Sequence, residues 1–159
     1  MPTLQRFVDA QASGFSGWDA AMAELHSGRK RGHWIWWVLP QLEGLGTSPT
    51  SREFGVRGLD EAMAYLRHAS LGPRYAATVT VLHGALAAGT RLDDLMGSPL
   101  DARKAVSSLT LFEAAARAAG GPTYDALAAR IAAVLDAATA QGHARCARTR
   151  RAVARPDAS

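Results

Sequence analysis

A single cysteine, two lysines and no long apolar run set the first limits on this 159-residue chain. Cys146 has no partner for an internal disulfide and lacks the clustered Cys or His of a zinc site, so no metal is expected and a reducing compartment is. No stretch approaches the roughly 20 apolar residues that a membrane-spanning helix needs. The amino-terminal MPTLQRFVDAQ has no basic segment followed by an apolar run and a small-residue cleavage site, so no secretion signal is read and the cytoplasm is the expected location. Gly-x-Ser-x-Gly and glycine-rich phosphate loops are both missing, which removes two common signatures of covalent hydrolysis and phosphate cradling. Nothing implies a cofactor.

What is present describes an ordinary globular chain. A hydrophobic share of 48% with 20% charged residues fits one domain large enough to bury a core without disulfide or metal staples. The net charge of +4 is concentrated at the end: residues 1–142 hold 13 basic and 13 acidic side chains, whereas residues 143–159 hold five arginines against Asp157. A neutral body argues against broad binding to a nucleic-acid backbone, whose affinity comes from many neutralised phosphates. We therefore expect a single helical domain over 1–142 and a basic segment over 143–159. That segment reads as solvated and partly disordered, with RNA or an acidic partner as the alternative. CARTRRAV leaves room for a final helical turn against the body.

Short helical patterns separated by Gly and Pro run along the chain. Trp18, Met22 and Leu25 share one stripe closed by Gly28, and Leu59, Met63 and Leu66 share another. LGPRYAATVTVLHGALAAG, with Pro73 in a first turn, reads as helix, although its Thr and Val content leaves a strand open. Pro122 opens a long pattern with Leu127, Ile131 and Leu135 in line, and no strand–turn–strand signal appears. A mainly α, single compact multi-helix domain follows.

Two stretches are specialised. GRKRGHWIWWVLPQ, residues 28–41, places three of the four tryptophans beside the densest positive charge. An extended backbone would put Trp34 and Trp36 on one side and His33, Ile35 and Trp37 on the other; a helix would group His33, Trp36 and Trp37. Either geometry suggests two rings in the core and one lining a cleft. His33 is either a ligand donor or a satisfied core histidine. In SPLDARKAVSSLTLFEAA, Asp101 is placed to cap a helix whose face then carries Lys104, Ser107, Ser108 and Leu111. Those serines could equally bond to their own helix carbonyls. Of 18 basic residues only Lys30 and Lys104 are lysine, and each falls in one of these stretches. A compact ammonium is what a phosphate or carboxylate contact can use in a chain that otherwise prefers arginine.

LQRFVDAQ, GRKRGHWIWWVLPQLEGLG, FGVRGLDEAMAYLRHASLGPRY and DARKAVSSLTLFEAA, in this order and spacing, resemble the domain of unknown function 1810 family, with GHARCARTRRAV a looser match. The resemblance implies a fold similar to the YbiA-like, or NADAR, proteins, helical domains associated with ADP-ribose-type nucleotides and cleavage of N-glycosidic bonds. It carries no settled activity, and fold-level likeness is an analogy. On that analogy a carboxylate must stabilise the sugar cation or activate water, and Asp101 and Glu43 are the candidates. Lys30 and Lys104 would hold phosphates, Trp34 or Trp37 would stack on a base, and Gln41 would read its edge. His33, Ser107 and Ser108 complete the expected site. Three readings follow in order: an ADP-ribose-directed N-glycosidase, a nucleotide-binding module and a small protein-interaction domain.

Overall fold

The computed structural model describes residues 3–154, so Arg155 and Asp157 of the basic tail lie outside the described residues. Those described form ten helices and one isolated parallel bridge, Leu42 to Val56. In chain order they are α1 (Gln5–Gln11), α2 (Trp18–His26), α3 (Ile35–Val38), α4 (Pro49–Glu53), α5 (Leu59–Arg67), α6 (Leu71–Ala87), α7 (Leu92–Met96), α8 (Pro99–Ala119), α9 (Pro122–Ala140) and α10 (Ala147–Val153).

The architecture is organised around α8. Ser98 caps it by accepting from the Asp101 amide at 3.1 Å, and Pro99 occupies the first turn, where a missing N–H costs nothing. Its buried residues include Ala102, Val106, Leu109, Leu111, Phe112 and Ala115, which at about 100° per residue cover most of the circumference and leave one stripe, with Arg103, Ser107 and Ala114, less covered. A helix apolar over most of its surface must be covered on those sides. Here α5, α7, α9 and α10 pack against it, and α6 packs on α9 and α5. Phe112 lies among Tyr65 of α5 and Tyr75 of α6, with ring centroids 5.1 and 4.2 Å away.

The segment that admitted a strand is α6. Its threonines satisfy their hydroxyls within the helix, Thr78 donating to the Arg74 carbonyl at 2.8 Å and Thr80 to that of Ala76 at 3.1 Å. Gly72, in its first turn, lets α6 pass the end of α5: a Cβ there would stand 2.0 Å from the Leu66 carbonyl oxygen. Along α9, Ile131 and Leu135 are buried as the stripe requires.

The basic tail carries the final helical turn that CARTRRAV left room for, as α10, with Arg148, Arg150 and Arg151 exposed and Arg145 drawn inward. Residues 143–154 fold back onto α8, with Thr149 fully buried in α10 and the Cys146 amide donating to the Thr110 hydroxyl at 3.2 Å. Arg145 grips Glu113 with two parallel bonds, Nε to Oε1 at 3.1 Å and Nη2 to Oε2 at 3.0 Å. The positive charge that read as a sign of solvation is thus partly internal, because Glu113 is a nearly buried carboxylate that needs a partner.

Candidate functional site

The loop after α2 is built on one carboxylate. Oε1 of Glu24 accepts from the amides of Arg31 at 2.6 Å and Gly32 at 2.8 Å and from the Trp34 indole at 2.9 Å. Burial pushes this acid up, but the two amides, the indole and the Lys30 charge outweigh it and hold Glu24 below the usual carboxylate value. The turn aims Lys30 inward. Its amide donates to the Leu95 carbonyl at 2.7 Å, and Gly97, at φ +85°, passes so close that a Cβ would meet the Lys30 carbonyl oxygen at 2.8 Å. Only glycine allows both that backbone conformation and that approach.

Lys30 then reaches α8 with a side chain 5% exposed, its Nζ donating to the Gly32 carbonyl at 2.6 Å and to Oδ2 of Asp101 at 2.7 Å. Lys104, one turn along, lies 3.4 Å from Oδ1 of the same carboxylate, and its Nζ sits 4.3 Å from the Trp36 ring centroid. Lys30 is likewise 5.3 Å from the Trp34 ring. Asp101 does not cap the helix, as its sequence position suggested. Ser98 does that, which frees the Asp101 side chain for the lysines. Burial pulls its pKa up, but the hydrogen bond and charge of Lys30 and the charge of Lys104 prevail and hold it low. The two specialised stretches therefore meet, as salt-bridge contact where an open cleft was expected.

The remaining expected residues divide. Trp34 is fully buried, so it offers no face to a ligand and the stacking role does not suit it. Trp37 is partly buried and committed, its indole donating to the Ser16 carbonyl at 2.7 Å and its ring 5.1 Å from that of Phe54. One ring is in the core and two are half-buried, in place of the two-to-one split expected. The short helix α3 explains this by turning Trp34, Trp36 and Trp37 to different directions. His33 is exposed. Gln41 adjoins Trp36 at a small void, and its Nε2 is buried without a hydrogen-bond partner among the described residues. Glu43 is an exposed loop residue whose amide donates to the Val56 carbonyl at 2.8 Å.

Ser107 and Ser108 do not join the lysines. Ser108 is fully buried and pairs with the Tyr75 hydroxyl at 3.0 Å. Ser107 donates to the Arg103 carbonyl at 3.0 Å and lines a cavity of about 220 Å³ with Arg103, His143 and Cys146. Burial raises the Cys146 thiol, yet the Thr149 and Ser107 hydroxyls and the amides of Thr149 and Arg148 bring it below its ordinary value. The neighbours at i+3 and i+4 of Lys104 thus diverge because they stand about 100° apart on α8, which turns Ser108 into the core and leaves Ser107 on the stripe with exposed Arg103.

Three contributors escaped the sequence reading. Glu24 is an ordinary helix carboxylate until the loop closes on it. Trp36 supplies the ring under Lys104. Gln11 is buried, donating to the Trp37 carbonyl at 2.8 Å and to the Tyr65 hydroxyl at 2.9 Å, while Arg74 donates to its Oε1 at 3.3 Å. A polar residue on the apolar side of α1 was the available signal for Gln11. Among the described residues no group of three or more His, Cys, Asp or Glu is placed to hold a metal ion, and no helix is long and apolar enough to cross a membrane.

A family model described as "Protein of unknown function (DUF1810)" matches residues 1–142. The chain is also similar to the conserved hypothetical protein Rv1873 from Mycobacterium tuberculosis, whose crystal structure superposes with a TM-score of 0.77 at 38% identity, covering 96% of this chain and 97% of that one. No curated protein matches. The chain belongs to the DUF1810 family of proteins of unknown function.

Proposed function

We propose that this member of a family without an assigned activity binds a nucleotide-type anion, of the ADP-ribose class, at the Lys30–Asp101–Lys104 cluster beside Trp36. One observation carries the reading: the only two lysines of the chain converge on one carboxylate against an indole ring. Lys104 is 23% exposed where Lys30 is nearly enclosed, so Lys104 is the arm that can leave Asp101 for a phosphate and uncover the Trp36 face for a base. The Nε2 of Gln41 next to Trp36 has no partner among the described residues but is buried, so it can donate to a base edge only once Trp36 moves aside. The YbiA-like likeness stays an analogy within this proposal.

Binding comes ahead of N-glycosidic hydrolysis. Asp101 is held ionised and is engaged by two amines, which makes it a weak base until Lys104 departs. The hydrolase remains the second reading because Asp101 is free of capping duty and is the one carboxylate against both lysines. The interaction-domain reading has less behind it, since the described residues expose only two large apolar side chains, Phe15 and Leu100, and scattered apolar residues are ordinary.

Calorimetric titration with ADP-ribose, AMP and NAD tests the proposal. Saturable binding that weakens by about tenfold in Lys104→Ala, roughly 1.4 kcal/mol, is expected. Binding unaffected by that substitution, or absent for all three ligands, removes the site. Release of free ADP-ribose from an ADP-ribosylated base by the wild type, lost in Asp101→Asn with affinity kept, would move the function to hydrolysis.

A further inference from the structure

A second basic site lies on the other side of α8. Glu113 and Arg117 of that helix and Arg145 and Arg150 of the C-terminal segment surround a cleft of about 400 Å³, edged by Ala114 and Val153. Glu113 stands 12 residues along α8 from Asp101, roughly 18 Å by helical rise and about 120° around the axis, and Arg117 is turned about 160°. No residue is shared with the lysine cluster, so this site is independent of the function proposed above.

Charge within the cleft is unbalanced in a specific way. Glu113 and Asp136 are both engaged by Arg145, which bonds the first through Nε and Nη2 and the second through Nη1 at 3.2 Å. That set is the fixed floor, with the Glu113 side chain 10% exposed. Arg117 adds only one 3.3 Å contact to Glu113 from a side chain 64% exposed. Arg150 makes no ion pair among the described residues. Two guanidinium forks with spare donors thus face a concave space whose carboxylates are already committed.

We propose that this cleft binds a small organic oxyanion, a phosphate monoester or a carboxylate, through Arg117 and Arg150. A guanidinium presents paired N–H donors that match such oxygens, and burying them against an anion strengthens each bond. The volume falls in the range of small-molecule sites and exceeds what the charged head alone fills. Ala114 and Val153 then meet the carbon portion of the ligand.

The test is a two-dimensional amide NMR titration of the full chain with glycerol 3-phosphate and, separately, succinate, each against sodium chloride at matched ionic strength. Saturable shifts at Ala114, Val153 and Ala154 are expected, weakened about tenfold or more in the Arg117→Gln/Arg150→Gln double variant. The stronger of the two ligands decides between phosphate and carboxylate. Arg150→Gln alone removes no side-chain hydrogen bond or ion pair among the described residues and serves if the double variant does not fold. Shifts no larger than those from sodium chloride, or an affinity unchanged in a folded variant, overturn the proposal.

Discussion

Oδ2 of Asp101 accepts from Lys30 at 2.7 Å across a junction that joins the loop after α2 to the first turn of α8. The bond links two parts of the chain far apart in sequence, and Lys104 holds the second oxygen of the same carboxylate at 3.4 Å.

Acid should weaken this junction. Asp101 and Glu24 both titrate below their ordinary values in the folded protein, so each contributes stability that is present above the unfolded pKa near 4 and is lost as pH falls through the lower folded one. Urea unfolding followed from pH 7 to pH 3 should show stability flat at first and falling below about pH 4. Asp101→Asn should lower stability at pH 7 by about 1–3 kcal/mol and flatten the acid limb. An acid limb as steep as that of the wild type would contradict this.

Glu24 should be the more sensitive partner of the loop. Glu24→Gln keeps an acceptor but loses the charge, whereas Glu24→Ala leaves two amides and the Trp34 indole without their acceptor. We expect about 1 kcal/mol for the first and about 2–4 kcal/mol for the second, read from chemical unfolding monitored by tryptophan fluorescence. Equal costs would mean that charge contributes nothing at this position.

Truncation after Gly142 should destabilise the body. It removes Arg145 from Glu113 and uncovers the surface sealed by Thr149. Leaving one partner of a buried pair costs up to about 3–5 kcal/mol, less here because Arg117 still reaches Glu113 at 3.3 Å, and adding Glu113→Gln to the truncated chain should return part of it. Thermal unfolding of the three proteins decides: a truncated chain that melts with the full one would show that the segment only rests on the surface.

Tyr65 and Tyr75 should resist ionisation. Burial pushes both phenols well above their ordinary value near 10, Tyr65 despite its bond from Gln11 and Tyr75 despite Ser108. Each contributes stability that is complete below the unfolded pKa and is lost as pH rises towards the folded one. Absorbance at the phenolate band should therefore show these two tyrosines appearing together with alkaline unfolding rather than before it.

Much of the helical architecture was legible because Gly and Pro punctuate it and because stripes such as Ile131 and Leu135 follow the 3.6-residue period. The meeting of the two specialised stretches was legible in part, from their polar and aromatic make-up and their holding the only two lysines, although Ser107 takes no part in it. Fates decided by tertiary enclosure were not. Ser107 and Ser108 are adjacent in sequence and look alike, yet one faces Cys146 and the other Tyr75, because α8 is covered by different elements on the two sides to which they point. Trp34 and Trp36 differ for the same kind of reason: a single helical turn rotates one ring into the core and leaves the other under Lys104. Among the described arginines of the tail Arg145 misled, because composition records its charge and not the buried Glu113 that it neutralises, whereas Arg148, Arg150 and Arg151 are exposed.

The enclosure of α8 also sets a clock. Its central amides, from Leu109 to Phe112, are shielded by helices on every side, so no local fraying exposes them to solvent. Their hydrogen-exchange rates should report the global opening of the molecule, while those of α10 report a smaller excursion that detaches the last segment first.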